Sequence, residues 1–394
     1  MFPCRLSNQV QPYAWGSRSA IADLLGTPSP SPGPQAELWM GTHPAGPSRV
    51  EGTHTTLTEL IANAPDECLG QAVIDAFGPR LPFLFKVLAV AEPLSLQVHP
   101  DAPQAKQGFL RDQDLPEPSR NYRDPSHKPE LLVALTRFDT LIGFRPVNET
   151  MRLLDSLHAP VLVALLHTLT ASPNASTLSD VVTSLLHTPV EERRQVVASV
   201  LEACQQHAEW SLSWALRLGE RYPDDMGVVT SLFMNHVVLA PGDAVFVPPR
   251  CLHAYLDGVG VEVMASSDNV LRGGLTTKRV NLPALLEVLE VVAKPVEVLR
   301  GETLGAQTVV YKTPASEFRL FRIELDGNEV VDRSPLPRIV LSTAGNVELD
   351  VGGAHVRLEQ GASAFARAID CPLRIRGKGT VFVATVGLDR GLDL

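Results

Sequence analysis

Short strand-like segments punctuated by Pro and Gly run along most of this chain. In one internal segment the apolar residues recur instead at a spacing of three to four. From Phe83 to Val90 every position except Lys86 is apolar, the pattern of a strand covered on both faces. Leu94 to His99 alternates instead: Leu94, Leu96 and Val98 face a core, and Ser95, Gln97 and His99 share the opposite face. A polar face of that kind opposite a purely aliphatic one predicts a lined cavity. Leu131 to Leu135 is a further apolar run, entered from the polar stretch Asn121–Glu130. Pro129 holds Lys128 extended there, which keeps Lys128 and Glu130 on one side.

Between about 148 and 225 the apolar residues recur at helical spacing: Leu153, Leu157, Val161 and Leu165, then Val181 and Leu185, then Val196, Val200, Leu201 and Cys204. Several helices are predicted, one of them started by a capping box at Thr188-Pro189-Val190-Glu191. Strands then return. From Leu239 to Lys278 the pattern gives a turn at Pro241-Gly242-Asp243, a strand from Ala244 to Val247 and a corner at Pro248-Pro249. A strand carrying His253, a tight turn at Asp257-Gly258 and an alternating strand around Glu262 follow. The stretch closes on a polar loop with Asp268, Asn269, Arg272, Gly273, Gly274 and Lys278. Leu282 to Val292 predicts a helix capped by Asn281.

Beyond 300 the expectation is short strands: Phe318 to Leu325, Arg338 to Ser342, Gly345 to Val351, Ala354 to Leu358 and Val381 to Val386. Glu359 to Phe365 echoes Pro241 to Phe246, which suggests a second copy of one β unit. That copy has no histidine at the matching place, so no metal is expected there. Thr27 to Pro34, TPSPSPGP, is expected to be a mobile loop. The pattern as a whole is that of a mainly β protein, a sandwich or jelly roll in two β units with an α-helical insertion. Four segments are expected: 1–147 and 226–300 forming one catalytic unit, 148–225 helical, and 301–394 a degenerate β unit.

Composition narrows the function. Of 394 residues 44% are hydrophobic and 20% charged, which supports a large core rather than disorder. The net charge of −10 disfavours nucleic acid or an anionic membrane as the main partner. The five cysteines are scattered without a C-x-x-C pair and read as free thiols. With no signal peptide pattern at Met1–Arg5 and no apolar run near the ~18–20 residues a bilayer requires, a soluble cytoplasmic protein is expected.

Gln97, His99, Glu130 and His253 form a mixed nitrogen and oxygen set. It suits zinc, and two histidines with one carboxylate suit non-haem iron equally. His43 could be a ligand, but reads first as a polar residue at a strand end. His158, His167, His187 and His207 lie too far apart in the helical segment to cluster.

The stretch Tyr122-x-Asp124-x-Ser126-His127-Lys128-Pro129-Glu130 resembles the Y-x-D-x-x-H-K-P-E motif of type I phosphomannose isomerases. His253-Ala254-Tyr255, Glu262-x-Met264-Ala265, Ser267-Asp268-Asn269, Arg272 and Lys278 resemble that family's second motif over its full length. Gln97-Val98-His99-Pro100 and Trp39-Met40-Gly41-Thr42-His43-Pro44 match as well. Gly273 and Thr277 depart from it, where alanine and proline are frequent. The resemblance implies a cupin-type fold with a helical insertion, one zinc ion per chain, and interconversion of mannose 6-phosphate and fructose 6-phosphate; a monomer is expected. It puts zinc on Gln97, His99, Glu130 and His253, a catalytic role on Arg272, and phosphate or substrate contacts on Ser95, Lys86 and Lys128, with Lys278 less firmly placed. His127 is expected to be a structural hydrogen-bonder. Proton transfer between C1 and C2 needs a mobile-proton group, and Glu262, Asp268 and Lys278 all remain open for that role. An iron-dependent cupin dioxygenase and a non-catalytic sugar-phosphate binder are the competing readings. The first leaves Arg272 and Lys278 without a task.

Overall fold

The computed structural model describes residues 2–207 and 210–388. Two antiparallel sheets dominate, and strand exceeds helix. The 13-residue strand His253–Ala265 is the axis of the first sheet. Its C-terminal half pairs with Phe83–Val90 on one side and Glu130–Ala134 on the other. Its N-terminal half pairs with Leu96–Val98 and Phe138–Phe144. Leu271–Gly274 extends the sheet beyond Leu96–Val98, and Glu37–Met40 extends it beyond Phe83–Val90.

The turn expected at Asp257-Gly258 is not a turn. The strand runs through it, with a register slip between Tyr255 and Asp257. Gly258 takes φ 130°, and a Cβ there would lie 2.7 Å from the Arg137 carbonyl oxygen. Only glycine fits so close an approach, and the result is a bulge that bends one strand across two sets of partners. The slip also reverses side-chain parity. His253 and Tyr255 before it, and Glu262 and Met264 after it, therefore line the same cavity.

The second sheet shows the same effect. The strands expected to be short are long: Arg319–Asp332, Arg338–Val351 and Leu373–Thr385. The gap expected between Ser342 and Gly345 is a bulge inside one strand; Gly345 sits at φ 77° where a Cβ would meet the Lys378 carbonyl oxygen at 2.1 Å. Cys4–Ser7 pairs with Ser363–Ala366, so the first strand of the chain lies in the sheet of the last segment. The two sheets share a core in which Leu38, Phe83, Phe85 and Val261 meet Ile339, Phe365 and Phe382. Each such side chain contributes on the order of 1.5–3 kcal/mol.

The helical segment comprises Val147–Leu157, Val163–Ala171, Ala175–Leu186, Val190–Cys204 and Trp210–Arg221. Its core includes Leu153, Val182, Leu185 and Val200, and it closes over Leu96 and Val98. That contact buries Leu96 and Val98 and leaves Gln97 turned to the cavity; Leu94, expected on the same aliphatic face, lies before the strand and lines the cavity instead. The capping box at Thr188 does not form: Pro189 occupies the N-cap, and the Thr188 hydroxyl donates back to the Leu185 carbonyl. Asn281 does cap its helix by accepting from the Ala284 N–H at 3.2 Å, but the helix ends at Val288 because Leu289 is already extended. The 27–34 loop is mostly exposed and is anchored at Ser31. Ser31 is buried, its hydroxyl donates to the Arg18 and Gly33 carbonyls, and its N–H donates to the Arg18 carbonyl.

Candidate active site

A cavity of about 650 Å³ lies over the first sheet; Glu130 and His253 line it and form a compact buried donor group with His99. A nitrogen or oxygen from each of His99, Glu130 and His253 lies within 4.8 Å of the others. Three separate strands or strand ends bring them together. The cross-strand partner of His253 is Gln97, whose other partner is Arg272. Gln97 faces the same cavity.

The two imidazoles are oriented from behind. His99 Nδ1 is 2.7 Å from the Asn269 carbonyl and His253 Nδ1 is 3.0 Å from the Cys251 carbonyl, so both Nδ1 atoms carry the hydrogen. Both Nε2 lone pairs then face the Glu130 carboxylate, at 3.3 Å and 3.4 Å. His99 Nε2 is buried with no hydrogen-bond partner. Burial, and then the Lys128 charge, push the His99 pKa down to about 4, so the ring is neutral. Lone pairs aimed at a carboxylate repel unless a cation lies between them. This donor set therefore fits a divalent metal ion held by neutral imidazoles with backbone-anchored Nδ1 atoms.

A row of buried charges lies beside that group. Lys86 Nζ lies 3.2 Å from Glu37 and 3.4 Å from Glu262. Trp39 Nε1 donates to the same Glu37 oxygen at 2.6 Å. The Tyr255 hydroxyl donates to Glu262 at 3.0 Å, with Glu130 as its second acceptor at 3.5 Å. Burial, then the Glu130 charge, push the Glu262 carboxyl up. Burial would raise Glu130 too, but Lys128, in contact at 2.5 Å, and the histidines hold it well below the usual carboxylate range. Lys128 and Glu130 thus share one side, as Pro129 dictates.

A second set of lining residues is cationic. It comprises Arg272, Lys278 and Arg123, with Ser95 and Thr276 also in the lining. Among the described residues neither Arg272 nor Lys278 has a carboxylate partner. Burial and then the Arg123 charge pull Arg272 below the usual arginine range, and Lys278 is lowered by burial and by both arginines. Asp268, the nearest anion in sequence, is engaged elsewhere: its Oδ1 is 3.1 Å from His43 Nε2 and its N–H donates to Asp124. Arg272 is therefore not ion-paired to Asp268. A Cβ on Gly273 would meet Leu252 and Leu285 at 3.4 Å, an ordinary contact, and Thr277 is exposed, so neither departure from the motif strains the wall.

All eleven candidate residues are accounted for. Gln97, Glu130 and His253 reach the cavity wall with Ser95, Lys86, Lys128, Glu262, Asp268, Arg272 and Lys278, while His99 stands behind Glu130 and His253. Lys86, expected at the phosphate, lines the cavity and pairs with two carboxylates, Glu37 and Glu262. Glu37, Tyr255 and Arg123 were missed. Glu37 shares strand parity with Trp39, and Tyr255 with His253, so alternation could have found both. His127 pairs with Glu317 of the second sheet's approach loop at 2.6 Å. His158, His167 and His187 are exposed and His207 is half-buried, away from the donor group.

Residues 3–147 match the model of the phosphomannose isomerase type I catalytic domain. The chain is 39% identical over 387 residues to mannose-6-phosphate isomerase of Escherichia coli (strain K12), covering 95% of this chain and 97% of that protein. It is 31% identical over 425 residues to mannose-6-phosphate isomerase 1 of Arabidopsis thaliana, covering 98% and 94%. Apo mannose 6-phosphate isomerase from Salmonella typhimurium superposes with a TM-score of 0.91 at 36% identity, covering 98% of this chain and 100% of that one. A mannose 6-phosphate isomerase bound with zinc and yttrium gives 0.91 at 36%, covering 98% and 99%. Identity at this level across nearly the full length of both partners, on one shared fold, means that the chain belongs to the type I phosphomannose isomerase family.

Proposed function

We propose that this protein interconverts mannose 6-phosphate and fructose 6-phosphate by moving a proton between C1 and C2 of the open-chain sugar. The observation that carries this reading is the polarity of one cavity. It brings together the metal-type group His99, Glu130 and His253 with Arg272 and Lys278, which have no carboxylate partners among the described residues. A sugar phosphate has two matching ends: vicinal oxygens at C1 and C2, and a dianion at C6. His99, Glu130 and His253, with Gln97 beside them, would hold a zinc ion, which would supply Lewis acidity toward the C1–C2 oxygens.

The residues divide the remaining work. Ser95 and Lys278 hold the phosphate, with Arg123 at the mouth. Arg272, next to Gln97 in the sheet, faces the reacting oxygens and stabilises negative charge as it develops on them. Glu262 is the proton carrier best supported by its surroundings, because burial raises its pKa and Tyr255 and Lys86 fix its orientation. Lys86 balances Glu37 and Glu262, and Lys128 holds Glu130 ionised. Segments 1–147 and 226–300 supply the proposed groups, 148–225 packs behind Leu96 and Val98 and adds Arg221 and Tyr222 to the lining, and 301–394 buttresses the first sheet. The working unit is proposed to be a monomer. Five unpaired cysteines support a reducing, cytoplasmic setting. Among the described residues no helix is long and apolar enough to cross a membrane.

The test follows sugar-phosphate conversion and oxygen uptake in the protein loaded separately with zinc and with iron. Conversion with zinc and no oxygen uptake is expected. Oxygen consumption with iron would favour the dioxygenase reading, and binding without conversion would favour a non-catalytic binder.

A further inference from the structure

Strand Glu37–Met40 and the turn after it deliver two polar groups, Glu37 and His43, to the edge of the cavity. Glu37 has its partners in Lys86 and Trp39. His43 has a different one. It is only 5% exposed, its ring packs edge-on against Trp39 at 4.6 Å, and its Nδ1 accepts the Ala45 N–H at 3.2 Å. That acceptor role fixes the tautomer: the hydrogen sits on Nε2, which points at Asp268 Oδ1 at 3.1 Å. Asp268 is held from the other side by its own N–H, bonded to Asp124, while its side chain stays half exposed toward the cavity. The imidazole is therefore a rigid, directional donor clamped from behind. It aims at one oxygen of a carboxylate and leaves the other for the cavity.

We propose that His43 is a positioning residue for catalysis: through its Nε2–H it fixes the rotamer of Asp268 so that the free carboxylate oxygen meets a hydroxyl of the open-chain sugar. This rests on the isomerase reading and on Asp268 touching substrate. The side-chain hydrogen bond from His43 also holds the Asp268 carboxyl below the usual aspartate range, which keeps it an acceptor throughout the neutral region. A carboxylate on a loop without such a clamp samples several rotamers, and a displacement of about 1 Å at a reacting centre costs up to ~10²-fold in rate.

The experiment is a double-mutant cycle on zinc-loaded enzyme with mannose 6-phosphate. His43→Ala is expected to lower kcat by ~10–100-fold with KM within about three-fold and zinc content unchanged. His43→Gln, whose amide nitrogen reaches near the Nε2 position, is expected to recover most of that loss. Asp268→Asn is expected to lower kcat at least as far, and the double variant His43→Ala/Asp268→Asn to be no slower than Asp268→Asn alone. Multiplied losses in the double variant would overturn the proposal, because His43 would then act independently of Asp268. A normal kcat for Asp268→Asn would overturn it as well, since nothing would need positioning. Wild-type conversion is the separate control on which the isomerase reading itself stands. If His43→Ala fails to fold, His43→Gln and Asp268→Asn still decide: Gln must retain kcat and Asn must not.

Discussion

Arg272 offers the sharpest separation of catalysis from stability. Its guanidinium is partly buried, has no acidic partner among the described residues, and shares its wall with the charges of Arg123 and Lys278. Such an arrangement destabilises the empty protein, because buried or crowded charge of one sign is unfavourable without an anion. It becomes favourable when negative charge develops on the sugar oxygens. Arg272→Ala should therefore lose kcat by ~10²–10³-fold, which is about 2.7–4 kcal/mol of transition-state stabilisation. It should leave the thermal midpoint unchanged or raised, as relief of an unpaired functional charge does in general. Arg272→Lys should recover only part of the rate, because a point charge lacks the planar fork. The assay is steady-state conversion of mannose 6-phosphate in both directions, beside zinc content and thermal unfolding of the same preparations. A variant that turns over normally, or one that unfolds or loses zinc, would refute the reasoning and make the arginine structural.

Ser95→Ala and Lys278→Ala should raise KM by ~10-fold with smaller losses in kcat, as for groups that hold substrate and transition state alike; unchanged KM in both would remove them from the phosphate end. Lys86→Met should destabilise the zinc-loaded protein by ~3–5 kcal/mol in denaturant titrations, because it strands Glu37 and Glu262 as buried anions, and adding Glu37→Gln should restore part of that. A Lys86→Met loss below ~1 kcal/mol would show those carboxylates already neutral. Burial would raise the Glu317 pKa, but the hydrogen bond from His127 holds it below the usual range. A carboxyl depressed in the folded state contributes stability above its unfolded value near ~4.3 that is lost as pH falls through the folded one. Glu317→Gln should accordingly cost ~1.5–3 kcal/mol near neutrality, and the gap to wild type should close on acidification; a gap independent of pH would contradict the pairing.

What the chain reveals before folding depends on the range of the interaction. The strands Phe83–Val90 and Ala244–Val247, the polar face of Ser95, Gln97 and His99, and the shared side of Lys128 and Glu130 are local consequences of alternation and proline, and all were legible. The metal-type group was legible as residue types within long motifs. Glycine misled in a consistent way. Asp257-Gly258 and the stretch around Gly345 look like turns, yet each glycine lies within a bulge because a neighbouring strand passes too close for a Cβ. Whether glycine ends a strand or bends it is set by that neighbour, which the local pattern does not contain. The same slip hid the relation between His253 and Glu262, whose odd and even positions converge only through the bulge. Pairings such as His43 with Asp268 and Lys86 with Glu37 join distant segments and became visible only with the fold.

The isomerase function proposed for this cavity requires one metal ion, held by His99, Glu130 and His253 with Gln97 beside them. The most direct test strips the protein of metal and titrates zinc back while following mannose 6-phosphate conversion. Activity should be absent in the stripped protein, rise in proportion to added zinc, and stop rising at one equivalent per chain, with Glu130→Gln showing neither uptake nor turnover. Full conversion by stripped protein, or recovery with iron and not with zinc, would contradict the account.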